Sequence, residues 1–511
     1  MNNRKTPTLY ILILIAWFIL LLIATPALFE GILVANITSW PAGILVTLST
    51  LFIAYFWLNG TKDVVYTMVY HLKKKRLVLP SKYLWAKTKG VTNRPHVVMV
   101  YCTYNDFNEH SLLESMKQDY RNNEVVILDD STKREFIEEI NLFAMKYNLK
   151  VVRRKDHVGF KAGNLNNYLQ TAEFDYFVIL DSDEIVPTNF ITRSLDYFAA
   201  DPTTGVVQAN HIATRNRNKF MKLFAIGVDS HWPAYQTLKN DHGFLSLLGH
   251  GAMVSKECYQ TVGGFPHVVA EDLCFSIAAR EKGYFVTFAP DILCEEEYPI
   301  DYLAFKKRHS KWTQGNMEFI KKFTGTIVNS PMRWFEKLDI VLFTYNLPLT
   351  AFFALYVVIN VILLPLIGYN VNYPAWMLVP TIAFLFAPML NDIITYRKTL
   401  KPWTMAWYLL HTVLLYGSML YISLVASTKS LFGKSVFVVT PKEASNVSFL
   451  DAVKGNKGEL MFAAGLISVT WILNDSILPV LLIVVPSILS VYMAMVANKK
   501  QKKLKLVKEI A

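Results

Sequence analysis

The chain has 511 residues, 53% of them hydrophobic, with a mean hydropathy of +0.27 and 18% charged residues. That is too apolar for an ordinary soluble enzyme and too charged for a bare membrane bundle, which leaves a soluble domain inserted between membrane segments. The net charge of +12 does not call for a nucleic-acid partner, because much of the Lys and Arg excess stands beside apolar runs, where it sets topology and meets anionic lipid.

A bilayer core of roughly 30 Å needs about 20 apolar residues in a helix. Leu9–Leu28 meets this, without the small-residue cleavage site of a removable signal peptide, and Ile37–Leu58 is the second span. Arg4 and Lys5 precede the first, and Lys73, Lys74, Lys75 and Arg76 follow the second, so both outer flanks are expected in the cytosol. A second pair, Ile340–Ile367 and Trp376–Tyr396, ends at Arg397, Lys398 and Lys401. A third, Leu460–Leu473 and Ile477–Val496, is followed by a basic tail from Lys499 to Lys508. Trp403–Thr428 is long enough to cross, but basic residues flank it at both ends, and an interfacial helix along the inner leaflet satisfies them. The expectation is about six spans plus interfacial helices, with both termini and the soluble domain cytosolic.

Between the first two pairs lies a segment of a different kind. His96–Cys102, Glu124–Leu128, Lys150–Arg153 and Tyr176–Leu180 read as buried strands separated by helical stretches, which implies a parallel sheet covered on both faces. Ligands of such sheets bind beyond the carboxyl ends of the strands. Two acidic loops fall there, Asp129-Asp130-Ser131 and Asp181-Ser182-Asp183. An Asp-x-Asp loop suits a nucleotide diphosphate, which carboxylates can approach only through a cation; Mg²⁺ or Mn²⁺ takes oxygen ligands from both. Downstream, Glu271 and Asp272 open a helix running through Arg280, where a carboxylate can be a helix cap or a general base. The residues leave both roles open. The four cysteines, Cys102, Cys258, Cys274 and Cys294, form no CxxC pair and are expected to be reduced and packed.

Taken together, Thr103-Tyr104-Asn105, Asp129-Asp130, the run from Lys161 to Asn166, Asp181-Ser182-Asp183, Glu271-Asp272 and a basic-Trp motif resemble family 2 glycosyltransferases of the GT-A fold. The resemblance is strongest to the membrane-integrated processive group that makes cellulose, chitin and hyaluronan. It implies an α/β, Rossmann-like GT-A domain inserted in an all-α transmembrane bundle. By matching position it also implies roles: Tyr104 and the Asp129/Asp130 loop for the uridine, with Thr103 among the substrate contacts, Lys161 for the diphosphate, Asp181 and Asp183 for the metal, and Asp272 as the base beside Glu271. The Gln-x-x-Arg-Trp signature is only partly present, as Arg308-His309-Ser310-Lys311-Trp312. Trp312 can still offer an aromatic platform to an acceptor sugar, whereas Lys311 replaces a two-pronged guanidinium with a point charge. Phe437–Lys442 resembles the gating loop of cellulose synthases, which puts Thr440 and Lys442 over the donor.

The resulting organisation has two N-terminal membrane helices in 1–60, a GT-A domain in 92–322 and a membrane pair with interfacial helices in 323–428. A gating loop in 429–458 and a last membrane pair with the basic tail in 459–511 complete it. The tail is expected to be too short for a cyclic-di-GMP-sensing domain. The implied activity is processive, inverting transfer from a UDP-sugar, with UDP-glucose and a β-linked glucan favoured by the gating motif. The growing polysaccharide would be acceptor and the lipid bilayer a partner. A glycolipid-forming or hyaluronan/chitin-type enzyme is the alternative.

Overall fold

The computed structural model describes residues 4–89, 94–214, 218–432 and 447–496. Its centre is a seven-stranded sheet: β1 (Val97–Thr103), β2 (Asn123–Asp129), β3 (Lys150–Val152), β4 (Tyr176–Asp181), β5 (Thr204–Ala213), β6 (Ala252–Ser255) and β7 (Phe285–Glu296). All seven residues of β1 are buried. Val97, Met99 and Tyr101 join one apolar cluster while Val98, Val100 and Cys102 join the cluster on the opposite face, as a strand covered on both sides requires. The four strands expected from sequence are present within a residue or two, and all four are parallel to their neighbours among themselves.

The sheet departs from the all-parallel expectation at one place. In the order β3-β2-β1-β4-β6-β5-β7, the short strand β6 runs antiparallel to both β4 and β5. The chain reaches β6 from the long helix Lys219–His242 through residues 243–251, and this return reverses the strand. That linking segment lies against the carboxyl end of β4, where Gly251 N donates to Ile179 O at 3.0 Å.

Among the described residues, five helical stretches are long and apolar enough to cross a membrane: Thr8–Thr38, Trp40–Lys73, Ala375–Tyr396, Pro402–Phe432 and Leu478–Met495. Four coincide with expected spans. Ile340–Ile367 is instead broken into Trp334–Thr344, Asn346–Val358, a π-turn at Ile359–Leu363 and a last turn containing Pro365. Lys457–Asn474 opens with Glu459, which is buried against Lys306 at 2.5 Å and lowers the apolar character of that helix. Pro402–Phe432, which contains the Trp403–Thr428 segment expected along the inner leaflet, divides after Gly417. Its second half, Leu420–Phe432, packs along the helix Tyr302–Asn329, with Ser423 Oγ 2.7 Å from His309 Nε2 and Lys321 Nζ donating to Ser430 O at 3.0 Å.

The N-terminal segment is tied to the sheet domain. Arg4 Nη1 pairs with Asp201 at 3.0 Å and Nη2 donates to Thr287 Oγ1 at 2.7 Å, while Lys5 Nζ donates to Gly243 O at 2.6 Å. A bidentate pair from Arg280 to Glu336 at 2.8 and 3.0 Å joins the domain to the helix Trp334–Thr344.

Candidate active site

The register brings the acidic loops together. Thr103 stands beside Asp129 across β1 and β2, and Cys102 beside Asp181 across β1 and β4, so the two loops and the Thr103–Asn105 turn leave the sheet side by side. Asp106 binds them: it accepts from Thr103 Oγ1 at 3.0 Å and Tyr104 N at 2.8 Å, and its other oxygen accepts from Ser182 Oγ at 2.6 Å. Tyr104 is exposed at the rim, with its ring edge-on to His157.

The Asp129-Asp130 pair is already matched in charge. Arg153 Nε donates to Asp129 Oδ2 at 2.6 Å, and Ser131 N to Oδ1 at 2.8 Å. Arg154 holds Asp130 with two prongs, Nε to Oδ1 at 2.9 Å and Nη2 to Oδ2 at 2.6 Å, and also donates to Val158 O and Phe160 O. These arginines leave the end of β3 and fix the loop in front of the helix Phe160–Leu169. The sequence reading did not assign them; two consecutive arginines closing a strand beside an Asp-Asp turn were the available clue.

Lys161, in the first turn of that helix, reaches the centre. Its amine pairs with Asp181 Oδ1 and donates to Gly249 O at 2.9 Å. Burial alone would lower the Lys161 pKa, but Asp181 and the surrounding acidic groups raise it, so the amine stays charged. Asp183 lies two residues further on and is half-buried. The oxygen donors of Asp181 and Asp183 suit a hard divalent cation.

Glu271 and Asp272 begin the helix Glu271–Glu281, whose N-cap is Ala270, with no side-chain capping bond. Asp272 therefore lies inside the first turn, where its Oδ1 accepts from Leu273 N at 2.8 Å. Burial pushes both carboxyls up, and the adjacent Asp272 charge raises Glu271 further. Gly249 joins this pair to Lys161. It adopts φ +90°, and a side-chain carbon there would stand 3.3 Å from Asp272 Oδ2.

The helix Tyr302–Asn329 closes the other side. Burial lowers the Lys311 pKa, opposed by Glu271 and Asp181, which places this amine in the field of the acidic centre. Trp312 is 41% exposed, and the Arg308 guanidinium covers its ring. Arg308 also approaches Glu296 Oε1 at 4.0 Å, an anchor the sequence reading missed. The structure thus brings Thr103, Tyr104, Asp129, Asp130, Lys161, Asp181, Asp183, Glu271, Asp272, Lys311 and Trp312 around one end of the sheet. Thr440 and Lys442 lie outside the described residues.

Comparison with known proteins bears on this arrangement. "Probable glucomannan 4-beta-mannosyltransferase 10" of Arabidopsis thaliana is 25% identical over 268 residues, 49% of this chain and 48% of its own length. "Beta-monoglucosyldiacylglycerol synthase" of Synechocystis is 27% identical over 237 residues, 45% of this chain and 49% of its own. The chain thus spans about half the length of these curated relatives. Among solved structures, "Mannosyltransferase PcManGT from Pyrobaculum calidifontis in complex with GDP-Man and Mn2+" matches with a TM-score of 0.46 and 20% identity, over 75% of this chain and 99% of that one. The family profile described as "Glycosyl transferase family group 2" matches residues 176–432, half of the 511. The chain is a membrane-helix-bearing member of glycosyl transferase family group 2.

Proposed function

We propose that the chain is a processive, inverting hexosyltransferase that takes a UDP-sugar in the cytosol and extends a β-linked polysaccharide, with UDP-glucose as donor and glucan as product. The observation that carries this reading is the convergence of Lys161, Asp181, Glu271 and Asp272 at the carboxyl end of the sheet, beside a helix presenting Lys311 and Trp312. Asp272 takes the proton from an acceptor hydroxyl as its oxygen bonds to the donor C1. The C1–O bond to the diphosphate breaks, and the nucleoside diphosphate leaves with that electron pair. Asp181 and Asp183 would hold Mg²⁺ or Mn²⁺, which supplies Lewis-acid stabilisation of the leaving diphosphate. Lys161 and Lys311 add fixed positive charge where that leaving group departs. Trp312 offers its exposed face to the acceptor sugar, and Tyr104 with the Asp129/Asp130 loop borders the nucleoside.

The anchoring of Arg4 and Lys5 on the sheet domain, at the amino end of β5 and β7, supports an N-terminus on the same side of the membrane as that domain. A second reading has a specific support: the names of the relatives specify mannosyl transfer into glucomannan and glucosyl transfer to diacylglycerol. Purified protein in detergent, given Mn²⁺ or Mg²⁺, decides between them. UDP-glucose, UDP-GlcNAc, UDP-glucuronate, UDP-galactose and GDP-mannose are supplied separately, with and without diacylglycerol, and nucleotide release and product size are recorded. A ladder of long products from UDP-glucose is the expected result; a single glucose on diacylglycerol, or polymer from GDP-mannose alone, selects the second reading.

A further inference from the structure

Beneath the catalytic loops lies a cluster that the transfer reaction does not use. Glu184 follows the Asp181–Asp183 loop, His211 stands on β5, and His250 lies in the segment leading to β6. Their ligand atoms all lie within 4.8 Å of one another. Glu184 Oε1 is 3.2 Å from His250 Nδ1 and 3.6 Å from His211 Nε2. Tetrahedral ligands about 2.1 Å from a common ion stand about 3.4 Å apart, a spacing that the two Glu184 distances bracket. Glu184 is 1% exposed and His211 2%.

The hydrogen bonding points inward to a cation. Glu184 Oε2 accepts from Gly251 N at 2.9 Å, but Oε1 has no hydrogen-bond partner among the described residues, and neither has His250 Nδ1. Their approach misses the geometry of a hydrogen bond. On the far side, the outer nitrogens of both rings meet one oxygen: His211 Nδ1 is 3.1 Å and His250 Nε2 3.3 Å from Glu296 Oε2. Glu296 accepts from His211 Nδ1, which leaves the lone pair of that ring on Nε2, while Gln208 Nε2 has His250 O and Gly251 O as acceptors at 3.0 and 3.1 Å. A carboxylate that holds two imidazoles by their outer nitrogens, leaving the inner ones beside a second carboxylate, is the usual support of a histidine metal site; the rings stack with centroids 4.5 Å apart, so binding turns them toward the ion.

We infer that Glu184, His211 and His250 bind one divalent transition-metal ion of the zinc class, oriented by Glu296 and separate from the Asp181/Asp183 position. Two imidazoles and one carboxylate favour zinc over magnesium, which prefers oxygen donors. Bound there, the ion pins residues 248–251 to the end of β4. That segment carries Gly249, which receives Lys161 and borders Asp272, so the metal is a positioning element for the catalytic pair.

The test is the metal content of full-length protein purified in detergent without chelators or metal-affinity resin. About one zinc per chain is expected. Asp183→Ala should retain it, and Glu184→Gln and His250→Gln should lose it at least tenfold; Glu184→Gln keeps an acceptor for Gly251 N. X-ray absorption at the zinc edge of the wild type should show imidazole scattering in a mixed nitrogen and oxygen shell, and this holds even where the variants fail to fold. Wild-type protein that neither retains nor takes up Zn²⁺ on titration overturns the site. An all-oxygen shell, or folded Glu184→Gln and His250→Gln variants that both keep the metal, does so too. These readouts need no turnover, so they stand whatever sugar the enzyme uses.

Discussion

The Arg308 guanidinium carbon lies 4.4 Å from the centre of the Trp312 ring, one helical turn away on the same face. The related signature has Gln at this position, and its replacement here gives the tryptophan a cationic backing that is also drawn toward Glu296. Stacking of this kind contributes about 0.5–2 kcal/mol. If Trp312 is the acceptor platform, Arg308→Gln should raise the acceptor KM or slow transfer about 2- to 30-fold, while leaving donor hydrolysis in the absence of acceptor nearly unchanged. Comparing UDP release with and without acceptor measures this. An equal loss in both would place Arg308 in the fold rather than in acceptor binding.

Metal dependence is the second prediction. EDTA should stop turnover, and Asp183→Ala should abolish it while the protein still elutes as the wild type on size exclusion. Full activity in chelator would remove the metal from the Asp181/Asp183 loop.

How far the sequence reached can be traced to particular residues. β1, β2 and β4 announced themselves because strands covered on both faces are continuous apolar runs, and the acidic residues that end them fell where the sheet register puts them. β5 did not, because Gln208, Asn210 and His211 interrupt its apolar pattern although all three are buried. Their burial is sustained by partners from distant segments, such as Leu248 N on Gln208, and such pairings have no local periodicity to read. The same holds for the arginines on Asp129 and Asp130, and for Glu296, which is over 80 residues from the histidine it orients. The break within Ile340–Ile367 was hidden for the opposite reason: composition reports apolarity, while the π-turn before Pro365 depends on packing.

Topology gives the third prediction. Lys306 Nζ donates to Gly455 O at 2.9 Å, so residues near Gly455 touch the helix that carries Lys311 and Trp312. A cysteine introduced at Gly455 should be shielded from an impermeant thiol reagent in intact cells and labelled after permeabilisation. The four native cysteines are buried and free, which keeps the background low. Labelling from outside would put Gly455, and the helix it touches, across the membrane from the cytosol.

The fourth prediction concerns Asp272. Its place inside the first turn, after the N-cap Ala270, means that its carboxylate is not the residue capping the helix. Asp272→Asn preserves the side-chain oxygen that accepts from Leu273 N and removes only the charge. If Asp272 is the base, nucleotide binding should persist while transfer falls by about 10² to 10⁴, the usual worth of a positioned base. The pH dependence gives a second signature. The active form is the carboxylate, and burial raises the pKa of both Asp272 and Glu271, so protonation sets in at a higher pH than for an ordinary carboxylate near about 4. In the wild type, kcat should therefore decline as pH falls, starting above that ordinary range. The residual activity of Asp272→Asn should lack this acid limb, whereas Glu271→Gln should keep one, because burial still raises Asp272. Measuring kcat from pH 5 to 9 at saturating donor separates these outcomes. An Asp272→Asn variant that polymerises at most of the wild-type rate, or that keeps an unshifted acid limb, would show that another group takes the proton.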